Sequence, residues 1–295
     1  MIVAIIGEGE WAKALFHLVA EAGHTPRLGY QKKCVPGFQG TPNLARLCRE
    51  AELVIYACPA NDLFSLVQES KLHPRNRVLI SARSLEPKTG RWLSSVITEE
   101  SPALRVGALA GPVILKDIER GHPSALVVAS HYDQVLTLTQ EVLHSGICRV
   151  YSSKDLIGVE LAGAMVTMIS MGIGLADSLR KGFSARGVIV ARGLAEASRL
   201  GQALGAEEHS FLGLAGVGDV VAFGMRGAKY EAGRNIGAKK AIPTYYLAEL
   251  EALIKLGQKQ SIDLPLTQAI LAIAKGELEA EIAMDALMQR APTAE

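Results

Sequence analysis

The sequence predicts a two-part α/β chain, a doubly wound and mostly parallel sheet followed by an all-helical C-terminal domain. Three observations predict it. Val3-Ala4-Ile5-Ile6 is a short apolar run that ends in Gly7-x-Gly9-x-x-Ala12 and passes straight into an amphipathic stretch over 13–20. Apolar β runs then alternate with helical stretches as far as residue 151, the pattern of a sheet covered on both faces. From Leu156 onward helices dominate and little β pattern remains. The expected domains are 1–152, binding a dinucleotide, and 153–295, helical and facing a substrate.

The opening stretch reads as a strand, a tight turn and a helix N-terminus of the Rossmann type. Gly7 permits the turn. Gly9 lets the backbone approach a pyrophosphate, because a side chain there would collide with it. Ala12 allows the helix to pack closely on the strand, and the first turn, with Glu10 and Trp11, offers unpaired N–H groups to an anion. The second strand, Arg27 to Tyr30, leads into Gln31-Lys32-Lys33. An acidic residue here would accept hydrogen bonds from the ribose hydroxyls of NAD, and none is present. Two lysines suit a 2′-phosphate, which favours NADP over NAD; the alternative is that both are solvated loop charges. Pro59 and Ala110, at the ends of later strands, complete the candidate cofactor contacts.

A loop over 34–42 precedes a helical stretch from Asn43 to Ala51. Leu53 to Pro59 is a buried strand stopped by its proline, and Asp62 to Ser70 a helix. Strands follow at 78–82, 106–110, 125–129 and 149–151, with helices over 90–99 and 133–144 between them. Glu160 to Leu179 is a helix apolar on nearly all faces, which predicts burial and is compatible with a homodimer. Helices are expected over 186–204, 247–256, 266–275 and near 282–289.

A net charge of +1 over 295 residues gives no reason to expect nucleic acid or an anionic membrane surface as partner. We read no apolar run as long enough to span a bilayer and no basic leader, so the expected compartment is the cytoplasm. Cys34, Cys48, Cys58 and Cys148 form no C-x-x-C pair and no cluster with histidine, which predicts free thiols and no metal site.

Several further stretches together resemble the NAD(P)-dependent glycerol-3-phosphate dehydrogenases of bacteria. They are Ser81-Ala-Arg-Ser-Leu-Glu-Pro-x-Thr-Gly-Arg91, Ala110-Gly-Pro112 with Lys116-Asp-x-x-x-Gly-x-Pro123, Ile157-Gly-Val-Glu-Leu-Ala-Gly-Ala164, Arg192-Gly-Leu-Ala-Glu196 and, most specifically, Phe211-Leu-Gly-Leu-Ala-Gly-Val-Gly-Asp219. The similarity runs through nearly the whole chain in order. It implies reduction of dihydroxyacetone phosphate to sn-glycerol 3-phosphate with NAD(P)H, in the cytoplasm, for phospholipid synthesis. Such chemistry needs a hydride from the nicotinamide, a cationic acid for the carbonyl oxygen and groups that hold a phosphate.

The match thins at those groups. The resemblance places a catalytic lysine and an asparagine on the long helix where this chain has Val166 and Thr167. It places a lysine where Arg83 stands; Arg83 keeps the charge but is a poor proton donor. The family's phosphate-holding arginine and asparagine lie in a stretch read here as a loop, Phe223-Gly-Met-Arg-Gly-Ala-Lys229-Tyr230-Glu231. Lys229 and Tyr230 fall near the two lost positions, and Arg234-Asn235 serves only if that loop shifts. Asp219 remains, free to pair with Arg83 or Lys229, or simply to cap a helix. The candidate catalytic residues are therefore Asp219 and Arg83, and the candidate substrate contacts are Arg83, Gly111, Val166, Thr167, Lys229 and Tyr230. The leading expectation is an NAD(P)-dependent oxidoreductase acting on a small, phosphorylated substrate. The alternatives are a reductase of another carbonyl or imine, with Tyr230, Lys229 or water as the acid, and an NADP(H)-binding protein without turnover.

Overall fold

The computed structural model describes residues 1–31 and 35–283. Eight strands form one sheet in the order β3-β2-β1-β4-β5-β6-β7-β8. They are β1 (Ile2–Ile6), β2 (Thr25–Gly29), β3 (Gly40–Thr41), β4 (Leu53–Tyr56), β5 (Arg77–Ile80), β6 (Arg105–Ala110), β7 (Ser124–Ala129) and β8 (Cys148–Ser153). All neighbours run parallel except β6 and β7. The order reverses direction at β1, so β1 and β4 diverge into their connections on opposite sides and leave a crevice at their carboxyl ends. In β1, Val3, Ala4, Ile5 and Ile6 are all fully buried, as a central strand with both faces covered requires.

The covering helices are α1 (Glu10–Glu21), α2 (Leu44–Glu50), α3 (Ala60–Ser70), α4 (Leu93–Glu100), the short α5 (Leu115–Glu119) and α6 (Asp133–Leu143). Beyond β8 the chain is helical: α7 (Leu156–Ser178), α8 (Gly182–Ala203), α9 (Glu208–Leu212), a π-helical turn over Leu214–Gly218, α10 (Asp219–Phe223), α11 (Gly227–Gly237), α12 (Thr244–Lys259) and α13 (Pro265–Ala274). The expected helix near 282–289 falls mostly outside the described residues, as do Lys32, Lys33 and Cys34.

Two expectations need correction. The stretch after Phe223 is not a loop, because α11 occupies it. And α7, 23 residues long with an 18-residue stretch of mean hydropathy 1.8, is long and apolar enough to cross a membrane by composition. It is instead the axis of the helical domain: from Val159 to Ala176 every residue of it is buried. It begins at Leu156 rather than Glu160, because the Asp155 side chain caps it by accepting from Gly158 N–H at 2.8 Å.

Buried carboxylates tie this domain together by capping helices other than their own. Asp155 Oδ2 also accepts from Glu207 N–H and Ser210 Oγ at the start of α9. Glu196 of α8 takes the Leu266 and Thr267 N–H groups of α13. Glu160 of α7 takes Ser94 N–H at 3.0 Å and Ser94 Oγ, so it caps α4 across the junction with the sheet. None of α4, α9 and α13 has a side-chain cap of its own. Each carboxylate therefore meets orphan N–H groups and the positive end of a helix dipole.

Burial pushes Glu160 from its ordinary 4.5 up to about 7, with the Ser94 hydrogen bonds opposing. An acid whose value is raised by folding stabilises the fold while protonated. That contribution is complete below about 4.5 and is lost as pH rises through about 7, a cost of roughly 3 kcal/mol. Glu160→Gln still accepts from Ser94 N–H, can donate its NH2 to Ser94 Oγ where the carboxyl accepts from it, and cannot ionise. Its urea midpoint is expected to exceed that of the parent at pH 8 and to approach it at pH 5; equal midpoints at both would refute the assignment.

Candidate active site

The carboxyl edge of the sheet collects the candidate residues. Gly7 ends β1 with φ 157°, and a Cβ there would lie 2.2 Å from the Ala57 carbonyl oxygen, so the turn is closed against the end of β4. Gly9 is the N-cap of α1 in extended conformation, without a side-chain cap, and a Cβ on it would meet nothing within 4 Å. The space over Gly9 and the uncapped amides of Glu10, Trp11 and Ala12 form a cradle that fits a pyrophosphate. Ala12 is buried against the sheet. The Trp11 indole N–H is buried with no partner among the described residues, a donor left for a bound group.

At the neighbouring strand end, Gln31 N–H donates to Glu8 Oε1 at 2.9 Å and Gln31 Nε2 donates to Glu69. Glu8, the residue between the two fingerprint glycines, thus joins the phosphate turn to the end of β2. Pro59 is the N-cap of α3. Ala110 is buried at the end of β6. These residues fit a nicotinamide dinucleotide, which would lie across the ends of β1 and β4 on this first turn. Gly9→Val tests the cradle apart from the fold. Its Cβ meets no protein atom within 4 Å, so the variant should lower the melting temperature by no more than the small loss of a glycine N-cap and weaken NADPH binding, read by fluorescence titration, by about tenfold or more.

Arg83 lies after β5 and is the hub of the site. Its Nε and Nη2 both donate to the Asp219 carboxylate, and Nη2 also donates to the Gly111 carbonyl at 3.0 Å. Its guanidinium is stacked between two rings, with Cζ 4.8 Å from the Trp11 centroid and 4.6 Å from that of Phe223. No described residue accepts from Nη1, whose two N–H groups remain for a ligand oxygen. Asp219 is fully buried at the first position of α10; Gly218, not Asp219, is the cap residue. Burial raises the Asp219 carboxyl, and the Arg83 guanidinium pulls it back. Gly111 has φ 134°, and a Cβ on it would lie 2.6 Å from the Ala125 carbonyl oxygen.

Lys229 enters from α11. Its Nζ donates to the Arg83 carbonyl at 2.6 Å and to Thr167 Oγ1, and Thr167 Oγ1 donates to the same carbonyl at 2.8 Å. Two of three ammonium protons are so placed, and the third has no acceptor among the described residues. Burial lowers the Lys229 value, while Glu249 and Asp219 oppose that shift. Val166, one residue from Thr167, is packed in the apolar cluster of the helical domain. Tyr230 is not brought to this place. Adjacent positions on a helix point about 100° apart, so with Lys229 facing Thr167, Tyr230 turns away and donates to Asp177 Oδ2 at 2.7 Å.

Glu249 of α12 is a participant that sequence reasoning missed. It is buried, its Oε2 has no hydrogen-bond partner, and burial raises its value against the opposing pull of Lys229. The available signal was a carboxylate in register with the buried stripe Tyr246, Leu250 and Leu253. Arg83, Lys229, Asp219 and Glu249 thus form a cluster of two cations and two carboxylates. Among the described residues no group of histidine, cysteine and carboxylate side chains could hold a metal, and Cys48, Cys58 and Cys148 are free and buried.

Comparison with known proteins gives consistent findings. The family model described as NAD-dependent glycerol-3-phosphate dehydrogenase N-terminus matches residues 30–136, and its C-terminus counterpart matches residues 155–285. Glycerol-3-phosphate dehydrogenase (NAD(P)+) of Methylibium petroleiphilum is 30% identical, over 100% of this chain and 98% of that one. The protein of the same name from Lactiplantibacillus plantarum is 29% identical over 98% and 97%. The crystal structure of glycerol-3-phosphate dehydrogenase from Coxiella burnetii is similar with a TM-score of 0.84 at 25% identity, covering 98% of this chain and 99% of that one. The Plasmodium falciparum glycerol-3-phosphate dehydrogenase shares the fold with a TM-score of 0.86 at 17% identity, over 100% and 97%.

Proposed function

The chain belongs to the NAD-dependent glycerol-3-phosphate dehydrogenase family, and on that premise we propose that it interconverts dihydroxyacetone phosphate and sn-glycerol 3-phosphate with Lys229 as the proton donor. The observation that carries this is the Lys229 ammonium held on Thr167 Oγ1 and the Arg83 carbonyl, one residue from the Val166 that replaces the expected lysine. The cofactor is NAD(P), which supplies the hydride when bound. The uncapped start of α1 and the space over Gly9 would hold its pyrophosphate.

The remaining work falls to the chain's own side chains. Arg83, fixed by Asp219 and Gly111, turns the two N–H groups of Nη1 toward a substrate phosphate oxygen. The third Lys229 N–H meets the carbonyl oxygen at C2. As the carbonyl carbon accepts hydride, that oxygen becomes an alkoxide and takes the Lys229 proton, leaving a neutral amine. Burial favours that neutral amine, so the transfer is less costly than from a solvated lysine. In the reverse direction the neutral amine removes the hydroxyl proton.

One observation favours a second reading, a carbonyl substrate without phosphate. The two cations of the cluster are matched by two carboxylates, and the Phe223 ring covers one face of the guanidinium. A single assay separates the readings: NADPH binding followed by fluorescence, then absorbance on adding dihydroxyacetone phosphate or unphosphorylated ketones. Oxidation with the phosphate ester supports the first reading, and oxidation with unphosphorylated ketones alone supports the second. Binding without oxidation by any carbonyl would refute both.

A further inference from the structure

A cavity of about 400 Å³ opens between α7, α8 and α11. Its Asp177 lies ten residues along α7 from Thr167, about 15 Å by helix rise. The lining side chains are Asp177, Arg180, Phe183, Arg186, Tyr230 and Arg234. Three arginines and one carboxylate thus line it. That carboxylate is committed: Asp177 Oδ1 accepts from Arg186 Nε at 2.6 Å and Oδ2 from Tyr230 Oη at 2.7 Å.

The other two arginines are left over. Among the described residues the Arg234 side chain has only a long, exposed ion pair with Glu231 at 3.8 Å. The Arg180 side chain makes no hydrogen bond or ion pair with any described residue. Its backbone is the left-handed residue that closes α7: φ is 55°, and Lys181 N–H returns to the Ala176 carbonyl at 3.0 Å. This place in a helix cap suits glycine, and arginine adopts it only at a cost. Phe183, 81% exposed, stands at the rim with the Arg186 guanidinium 4.7 Å from its centroid, an apolar wall beside the charges.

We propose that this cavity binds the phosphate group of a small ligand, with Arg180 and Arg234 as its principal holders and Arg186, oriented by Asp177, beside them. Guanidinium forks match phosphate oxygens two at a time, and the surplus of positive charge matches a phosphate dianion. The site is separate from the cleft holding Arg83 and does not depend on the reaction assigned there.

The test is calorimetric titration of the full chain, saturated with NADPH, with inorganic phosphate and with glycerol phosphate. The key variant is Arg180→Gly, which removes the guanidinium while relieving the backbone. It should melt no lower than the parent and bind phosphate about tenfold or more weakly. Arg234→Ala should weaken it similarly, and Arg83→Met should leave one phosphate-binding event intact. Tighter binding of the ester identifies a carbon-bearing ligand, and tighter binding of inorganic phosphate the free ion. Undiminished affinity in Arg180→Gly and Arg234→Ala, loss of all binding in Arg83→Met, or no binding to the parent overturns the proposal.

Discussion

Lys229→Met is expected to lower kcat/KM for carbonyl reduction by about 10²- to 10⁴-fold, the usual contribution of a positioned general acid. NADPH affinity should stay near that of the parent, because among the described residues the Lys229 ammonium hydrogen-bonds only to Thr167 and the Arg83 carbonyl, not to the uncapped start of α1. Lys229→Arg separates charge from proton transfer. It retains a cation that stabilises the alkoxide but surrenders its proton poorly, so KM should be largely kept while kcat falls. The pH profile carries the same information. Burial holds the Lys229 ammonium below the ordinary lysine value. Reduction requires the protonated form and therefore slows as pH rises through that depressed value, whereas oxidation of the alcohol, which needs the free amine, speeds up. The alkaline limb should vanish in Lys229→Met. A variant that keeps both the rate and the limb would remove Lys229 from the reaction.

The second large effect concerns stability. Where α7 and α11 cross, backbone meets backbone. A Cβ on Gly233 would lie 2.0 Å from the Met171 carbonyl oxygen, and one on Gly174 would lie 2.0 Å from that of Tyr230. Neither contact can be relieved by moving a side chain, so the two helices must separate. Gly233→Ala should cost about 3 kcal/mol, lowering the melting temperature by roughly 5 °C for a chain of this length. Activity should fall further than stability, since the same separation draws Lys229 away from Thr167. Gly187, on α8, is the control, because a Cβ added there would meet nothing within 4 Å. At that position alanine should stabilise by about 0.5–1 kcal/mol through helix propensity alone. Equal behaviour of the two variants would refute the crossing as the source.

The same crossing explains what could be read from the sequence and what could not. Strands such as β1 and β4 announce themselves as apolar runs bounded by Gly7 and Pro59, and α1 and α6 by one apolar face each. The buried face of α11 is Ala232, Gly233 and Ile236. Glycines chosen for close approach look like loop residues in one dimension, so Lys229 and Tyr230 read as joint occupants of one site. Once the helix is known, they separate. The antiparallel β7 was hidden for another reason: its alternation is the same whichever way it runs. Arg83 and Asp219 were legible as candidates because they stand in stretches that resemble the family's motifs, and the structure pairs them. Glu249 was not, because its partner lies on another helix. Glu160 was likewise silent, its role being to cap a helix of the preceding domain.

The stacking of Arg83 on Trp11 has an optical consequence. The chain has two tryptophans, Trp11 and Trp92, and only Trp11 lies against a cation of the cleft. An indole excited beside a guanidinium responds to the field of that charge. Any ligand that draws Arg83 off the ring, or covers the unpaired indole N–H, alters its emission. In a Trp92→Phe background the protein becomes a single-colour reporter of its own cleft, and occupancy can be followed in the absence of turnover.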